Sequence, residues 1–289
     1  MTTATTTLTP TWGSGVTTID ESLAAWRIDG AKPQPEIITA AWRGTREDKR
    51  LLDLWGGAYA NTYTWMTALT VTGKLWAQFE ALACYHLKEA RRVLDVGTGT
   101  GLTPRALLKE FPMIEIVAAD WSSEFLRKAR ENLGTRDTIG RVALWRVDLA
   151  QAWPWPDASF NGATSHFVLP YLPKSSQITL LRQAHRTLQD GSVFLVDFMR
   201  AGSSFKEVIR HNFVKELRAN PAALIKALLL IPIFTKKADK ARRAGLTHDF
   251  SDKGFGNVVR EIGYTHANLV GEGLFGPNGA TVSIWKLVK

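Results

Sequence analysis

Three glycines at alternate positions, Gly97, Gly99 and Gly101, stand in "RRVLDVGTGTGLTPRALL" between an apolar run and an amphipathic one. A glycine-rich turn from strand to helix lets a ligand approach the backbone, with the helix N-terminus pointing at it. The dinucleotide fingerprint G-x-G-x-x-G would place its third glycine where this chain has Leu102, so the pattern here is G-x-G-x-G. Asp95 stands just before the glycines. A carboxylate there suits a cofactor with an ammonium group to neutralise and no pyrophosphate to cradle, and S-adenosylmethionine (SAM) is such a cofactor. The competing reading is a glycine turn that only packs a helix closely on a strand.

Two further carboxylates extend the pattern. Asp120 ends the next apolar run, "EIVAAD", roughly 20 residues past the turn, where an acid can accept from both ribose hydroxyls. Asp148 follows "VALWRV", where it can accept from an adenine amino group. Each could instead cap the element after it, but three at successive strand ends point to one cofactor site, with Thr98, Trp121, Leu149 and Ser165 beside them. His166, in "SHFVLPYLP", ends a fourth strand next to the expected sulfonium. A histidine titrates near neutral pH and can take a phenol or ring proton. A neutral histidine that only shapes the pocket fits the sequence equally. Tyr63, Tyr171 and His248 are further candidates for the acceptor's pocket. His185, mid-helix, reads as structural.

The elements that must position these residues are legible around them. Strand candidates are 92–96, 115–120, 142–147, 160–167 and 192–198, alternating with helices. Thr103–Pro104 opens one helix, Ser122 a second that stops at Gly134, and Ser175 a third that stops at Gly191. This rhythm argues for an α/β fold, a parallel sheet covered by helices on both faces. Residues 19–90 read as a helical segment, and 1–18, rich in threonine, as a disordered tail. A helical, basic and apolar insertion, 200–247, interrupts the rhythm, which resumes over 248–289.

"VLDVGTGTG", "IVAADWSSEFLRKAR", "VDLAQAWPWPDASF" and "LRQAHRTLQDGSVFLVDF" resemble consecutive signature blocks of class I SAM-dependent methyltransferases. The resemblance implies a Rossmann-like, seven-stranded, mostly parallel sheet with an antiparallel last strand, SAM as cofactor, and a methyltransferase domain over 91–199 and 248–289. Asn161 and Asp190–Gly191–Ser192 depart from the family's usual residues, away from the cofactor positions. More loosely, "YANTYTWMTALTVTGKLW" is similar to the quinone-biosynthesis C-methyltransferases, and phospholipid N-methyltransferases share some of that look. Methyl transfer from a sulfonium is an in-line displacement that positioning and desolvation can drive, which removes the need for an obligatory catalytic motif. The expected acceptor is small and lipophilic or aromatic, methylated at carbon or oxygen. N-methylation, of a phospholipid or another amine, and a SAM-holding protein without catalysis remain as alternatives.

Composition narrows the partners. The 289 residues are 45% hydrophobic and 22% charged, with a single cysteine, which excludes a disulfide framework and a cysteine-rich zinc site. Cys84 lies on the helix before the glycine turn, where packing is its expected role rather than attack on a base. Ser165–Pro170 lacks the proline-paired element of amino-methylating enzymes for DNA or glutamine, and no RNA-binding module accompanies the net charge of +9, so nucleic acid is not the expected partner. The N-terminus lacks the basic and apolar regions of a secretory signal, which gives a cytoplasmic expectation. In the insertion, "AALIKALLLIPIF" precedes "TKKADKARRAG". Two readings stay open for it: a lid that lies peripherally on an anionic membrane, or a cap helix packed on the sheet domain with its lysines solvated.

Overall fold

The computed structural model describes residues 18–29, 32–39 and 69–289. Tyr63 and the tail to residue 17 lie outside the described residues. The chain runs α1 (Ile19–Ala24), β1 (Trp26–Asp29), β2 (Lys32–Pro35), β3 (Ile37–Thr39), α2 (Thr70–His86), β4 (Arg92–Val96), α3 (Leu102–Glu110), β5 (Glu115–Asp120) and α4 (Ser123–Leu133). It continues with β6 (Val142–Arg146), β7 (Phe160–Ser165), α5 (Lys174–Thr187), β8 (Leu188–Met199), α6 (Phe205–Ala219), α7 (Pro221–Arg243), α8 (Asp252–Ile262), β9 (His266–Gly276) and β10 (Gly279–Val288).

The main sheet has the order β3-β6-β5-β4-β7-β8-β10-β9, with β10 antiparallel to both neighbours and the other ladders parallel. β4, β5 and β6 are buried almost throughout, as strands covered on both faces must be. Alternation sends Leu94, Val96, Val117 and Ala119 into one core cluster and Val93, Ile116 and Ala118 into the other. α4 starts where the Ser122 hydroxyl accepts from the Phe125 N–H, and α8 where Ser251 accepts from Gly254. Strand order reverses between β4 and β7. The crevice beyond their carboxyl ends is where a sheet of this kind opens for a ligand.

The sheet has eight strands, one more than expected. The additional strand is β3, which pairs parallel to β6 through Ile37–Leu144 to Thr39–Arg146. The N-terminal segment is thus not wholly helical. Pro33 and Pro35 lack the N–H that a helix needs, and Ile37–Ile38–Thr39 is a β-branched run suited to a sheet edge. Two helix boundaries also differ. α3 is capped by Gly101 in the left-handed region, with Thr103 and Pro104 already inside its first turn. α5 begins at Lys174 and ends at Thr187, because residues from Leu188 onward, including Gly191, extend β8.

The insertion leaves β8 and returns to it: Arg200 and Phe250 form an isolated bridge, and Ala201 N–H donates to the Phe250 carbonyl at 2.8 Å. Its two helices enclose a small core of Ile209, Ala223, Leu224 and Ala227, which takes in Leu69 from the start of α2. Leu69 has no side chain with which to cap α2. Glu216 of α6 does so instead. Its carboxylate is 1% exposed and accepts from Thr70 N–H at 2.9 Å and Val71 N–H at 2.6 Å. A distant acid thus satisfies donors that a helix leaves orphaned.

Glu216→Ala is expected to cost about 1–3 kcal/mol, through two lost hydrogen bonds to charge at a buried site. The urea midpoint should fall at unchanged slope, and Glu216→Gln, which keeps one acceptor oxygen, should fall less. An unchanged midpoint for Glu216→Ala would show that α2 does not depend on this cap.

Candidate active site

β4 delivers the chain into the glycine turn, where Gly97 and Thr98 both donate to the Ala119 carbonyl of β5, at 2.8 and 2.9 Å. Gly97, Gly99 and Gly101 have φ of 75°, 53° and 80°, a region open to glycine and strained for most side chains. Their surroundings differ. A Cβ on Gly97 would fall 2.1 Å from Val168 Cγ2, and one on Gly101 would fall 2.9 Å from Leu133 Cδ1. At Gly99 the nearest atom is 4.0 Å away, on Phe125. Two of the glycines are therefore required by the chain's own packing, and only Gly99 faces open space.

Asp120 ties this turn to the end of β5. Oδ2 accepts from Gly99 N–H and Oδ1 from Ser122 N–H, both at 2.9 Å. Burial pushes its carboxyl up to about 6, against the opposing pull of those N–H groups. A carboxylate offers about four acceptor positions; the backbone of Gly99, Ser122 and Trp121 draws on this one, which leaves it able to accept further from a ribose hydroxyl. Asp95 is buried, accepts from the Thr164 hydroxyl at 2.6 Å, and is raised by burial. Asp148 is half-buried, and its Oδ1 accepts from Ala150 N–H at 2.9 Å, the local turn-capping role weighed from sequence. Trp121 is half-buried and its carbonyl accepts from Arg146 Nε at 3.2 Å. Leu149 is buried, and the buried Ser165 hydroxyl has no hydrogen-bond partner among the described residues.

His166 follows β7 directly and is enclosed. Its ring stacks on Phe79 at 4.2 Å and meets Trp76 edge-on at 4.5 Å, both from α2. Its Nδ1 lies 2.6 Å from Oδ2 of Asp197, a fully buried acid on β8. A carboxylate only accepts, so Nδ1 carries a proton, and in the neutral ring Nε2 is then the nitrogen with the lone pair. That Nε2 is buried and has no hydrogen-bond partner among the described residues. The other oxygen of Asp197 accepts from Phe167 N–H at 2.6 Å, and Phe167 has φ of 59°, rare for a bulky residue. One acid thus holds both the ring and the strained backbone beside it. Sequence reasoning missed Asp197, Trp76 and Phe79. The available signal was an acid inside the apolar run "VFLVDF".

Asp95, Thr98, Gly99, Thr103, Trp76 and His166 share one pocket in the crevice. Of the described acceptor candidates, Tyr171 and His248 are not in its lining. Tyr171 sits on a turn after β7, its ring 6.2 Å from Phe167. His248 borders a separate cavity with Lys174 and Phe250, and burial, then Lys174, lower its pKa. No described residue of 200–247 lines the His166 pocket either, and the insertion's described link to it runs through Glu216 and α2. His185 packs edge-on against Tyr264 at 4.9 Å. Cys84 packs against the core, and burial raises its thiol pKa.

These residues fit SAM on two counts: the open space at Gly99 bounded by the remaining acceptor positions of Asp120, and a negative wall at Asp95 for a cation. Asp120→Ala should therefore weaken SAM binding by about 10- to 150-fold, the equivalent of roughly 1.5–3 kcal/mol. Gly99→Val should abolish it with the circular dichroism spectrum unchanged. Because its pKa is raised to about 6, Asp120 protonates as pH falls through that value, and SAM affinity should fall with it. The loss should be about tenfold one unit below the pKa and absent in Asp120→Asn. Calorimetric titrations that show a flat profile in the wild type would contradict the assignment.

Residues 93–191 match the family of the methyltransferase domain. Among curated relatives, a ubiquinone/menaquinone biosynthesis C-methyltransferase of Geobacter sulfurreducens is 26% identical over 181 residues, 61% of this chain and 69% of that protein. A trans-aconitate 2-methyltransferase of Azoarcus sp. is 31% identical over 121 residues, 42% of this chain and 44% of that enzyme. The chain thus spans less than half the length of the Azoarcus relative. A SAM-dependent methyltransferase from Thermotoga maritima shares the fold, with a TM-score of 0.54, 15% identity and coverage of 83% of this chain and 99% of that one. Residues 93–191 thus carry a methyltransferase domain, and in its glycine turn, strand-end acids and sheet order the chain is similar to SAM-dependent methyltransferases.

Proposed function

We propose that this methyltransferase acts on a small lipophilic or aromatic acceptor, at carbon or oxygen, and that His166 takes the acceptor's proton. The observation that carries the reading is the buried, unpartnered Nε2 of His166 in the wall of the Gly99 pocket, with Nδ1 held by Asp197. SAM, when bound, supplies an electrophilic methyl group on a sulfonium. The chain's own residues do the rest. Asp120 and the backbone at Gly99 would seat the ribose, with Thr98 and Trp121 beside them. Asp95 would face the cationic end, and Asp148, Leu149 and Ser165 would border the remainder.

His166 then acts from a fixed tautomer. A proton taken by Nε2 leaves an imidazolium whose other N–H still points at Asp197, so the charge forms beside a carboxylate already in place. Phe79 and Phe167 pack on the ring and exclude water, and Trp76, in the pocket's lining, gives flat apolar surface that suits an aromatic ring. The relatives' names include C-methylation in quinone biosynthesis, methylation of trans-aconitate and O-methylation of a malonyl-acyl-carrier protein. The described lining of this pocket holds no lysine or arginine to bind a polycarboxylate, which favours the first class. A lipophilic acceptor resides in bilayers, and peripheral contact with an anionic membrane belongs to this reading.

With a phenolic or quinol-type acceptor, His166→Ala should lower kcat by about 10²–10⁴-fold while SAM affinity stays unchanged. Asp197→Asn should lower kcat too, because an amide can offer Nδ1 the wrong partner. Release of S-adenosylhomocysteine reports turnover, and near-normal turnover in His166→Ala would reduce its role to shaping the pocket.

A further inference from the structure

α6 buries Val208, Ile209, Asn212 and Glu216, and α7 buries Ala223, Leu224 and Ala227. At 3.6 residues per turn, the opposite side of α6 carries Phe213, Val214 and Leu217, and that of α7 carries Ile225, Leu228 and Leu229. All six are exposed, Leu229 to 70%. Among the described residues these are six of the eleven exposed large hydrophobic side chains, so the exposed apolar surface is concentrated on one pair of packed helices. Scattered single hydrophobics need no explanation, but a contiguous patch marks an interaction surface.

The same sides of the helices carry cations. Lys206 and Arg210 are exposed on α6, and Lys236, Lys240 and Arg243 on α7. Glu207 is the exposed acid among the two helices' described side chains. Apolar residues with lysine and arginine further along the same helix sides match an anionic lipid surface, which takes the first into its acyl boundary and the second at its headgroups. A second copy of the chain, docked by a twofold axis, would instead bring like charges together. No described helix is long and apolar enough to cross a membrane, so this surface can meet one only from the side.

We propose that the outer face of α6 and α7 docks on bilayers rich in anionic phospholipid. The purpose of the docking rests on the lipophilic-acceptor reading; its physical basis does not. Glu216 ties this face to α2, whose Trp76 walls the pocket, so docking fixes the pocket's position relative to the lipid.

The test is sedimentation of the full chain with vesicles of phosphatidylcholine, with and without phosphatidylglycerol. Binding should require phosphatidylglycerol and weaken as salt shortens the roughly 10 Å screening length found at 0.1 M. Lys236→Gln with Lys240→Gln should weaken the partition about 25-fold, and Ile225→Ser with Leu229→Ser should also weaken it. Both double variants should keep SAM affinity and turnover of a water-soluble acceptor analogue. A wild type that ignores phosphatidylglycerol vesicles at low salt overturns the proposal, as do variants that bind as tightly as the wild type. So does a dimer in analytical ultracentrifugation that Leu229→Ser dissociates, without vesicle binding by the wild type. Vesicle binding without turnover of any lipophilic acceptor supports the docking face and overturns the acceptor reading instead.

Discussion

The site depends on the Asp197 carboxylate more than on any other single group. It lies fully buried on β8, and a buried charge is costly unless its oxygens are filled. Both are filled by one dipeptide, His166–Phe167, through the ring Nδ1 and the following backbone N–H. These bonds hold Phe167 at a positive φ that costs on the order of 1–3 kcal/mol elsewhere. The same acid orients the ring directly before the strained turn and places a proton on its Nδ1. Structure and chemistry are thus coupled at one carboxylate: whatever releases Asp197 releases the ring from its orientation.

The crevice gathers two acids in a protein that is positive overall. Asp95 and Asp120 lie close enough for the charge on Asp95 to help raise the pKa of Asp120, in addition to burial, while the whole chain carries +9. Paired acids under mutual repulsion favour a cation between them, which is the charge type of a sulfonium with an ammonium group. The basic excess, in contrast, is prominent on α6 and α7, on the outer surface. The chain separates the two by location, acids at the sheet's carboxyl edge and basic residues on the inserted helices.

The glycines, the acids at the ends of β4 and β5, and His166 were legible because each sits at a strand end within its own short motif. The sheet order brings those ends together without further information from the sequence. Asp197 was not legible as a partner of His166, since their contact requires β7 and β8 to be neighbours in the register that sets Ser165 opposite Val196. Glu216 is a similar case: it reads as one more helical acid, but 146 residues separate it from the Thr70 N–H it accepts. β3 was hidden by the helical periodicity around it, although Pro33 and Pro35 carried the contrary signal. Gly97 and Gly101 fit the motif but answer to Val168 and Leu133. Spacing alone gives no way to tell them from Gly99.

The central claim is that Asp197 holds His166, in the lining of the Gly99 pocket, in one tautomer, with Nε2 unpartnered among the described residues. Nitrogen-15 NMR of histidine-labelled protein tests it most directly, with resonances assigned through His166→Ala. At neutral pH the account predicts a protonated Nδ1 and an unprotonated Nε2 for this ring, with Nε2 shifting on addition of S-adenosylhomocysteine and the single tautomer lost in Asp197→Asn. A ring protonated at Nε2, or one indifferent to both S-adenosylhomocysteine and Asp197→Asn, would contradict it.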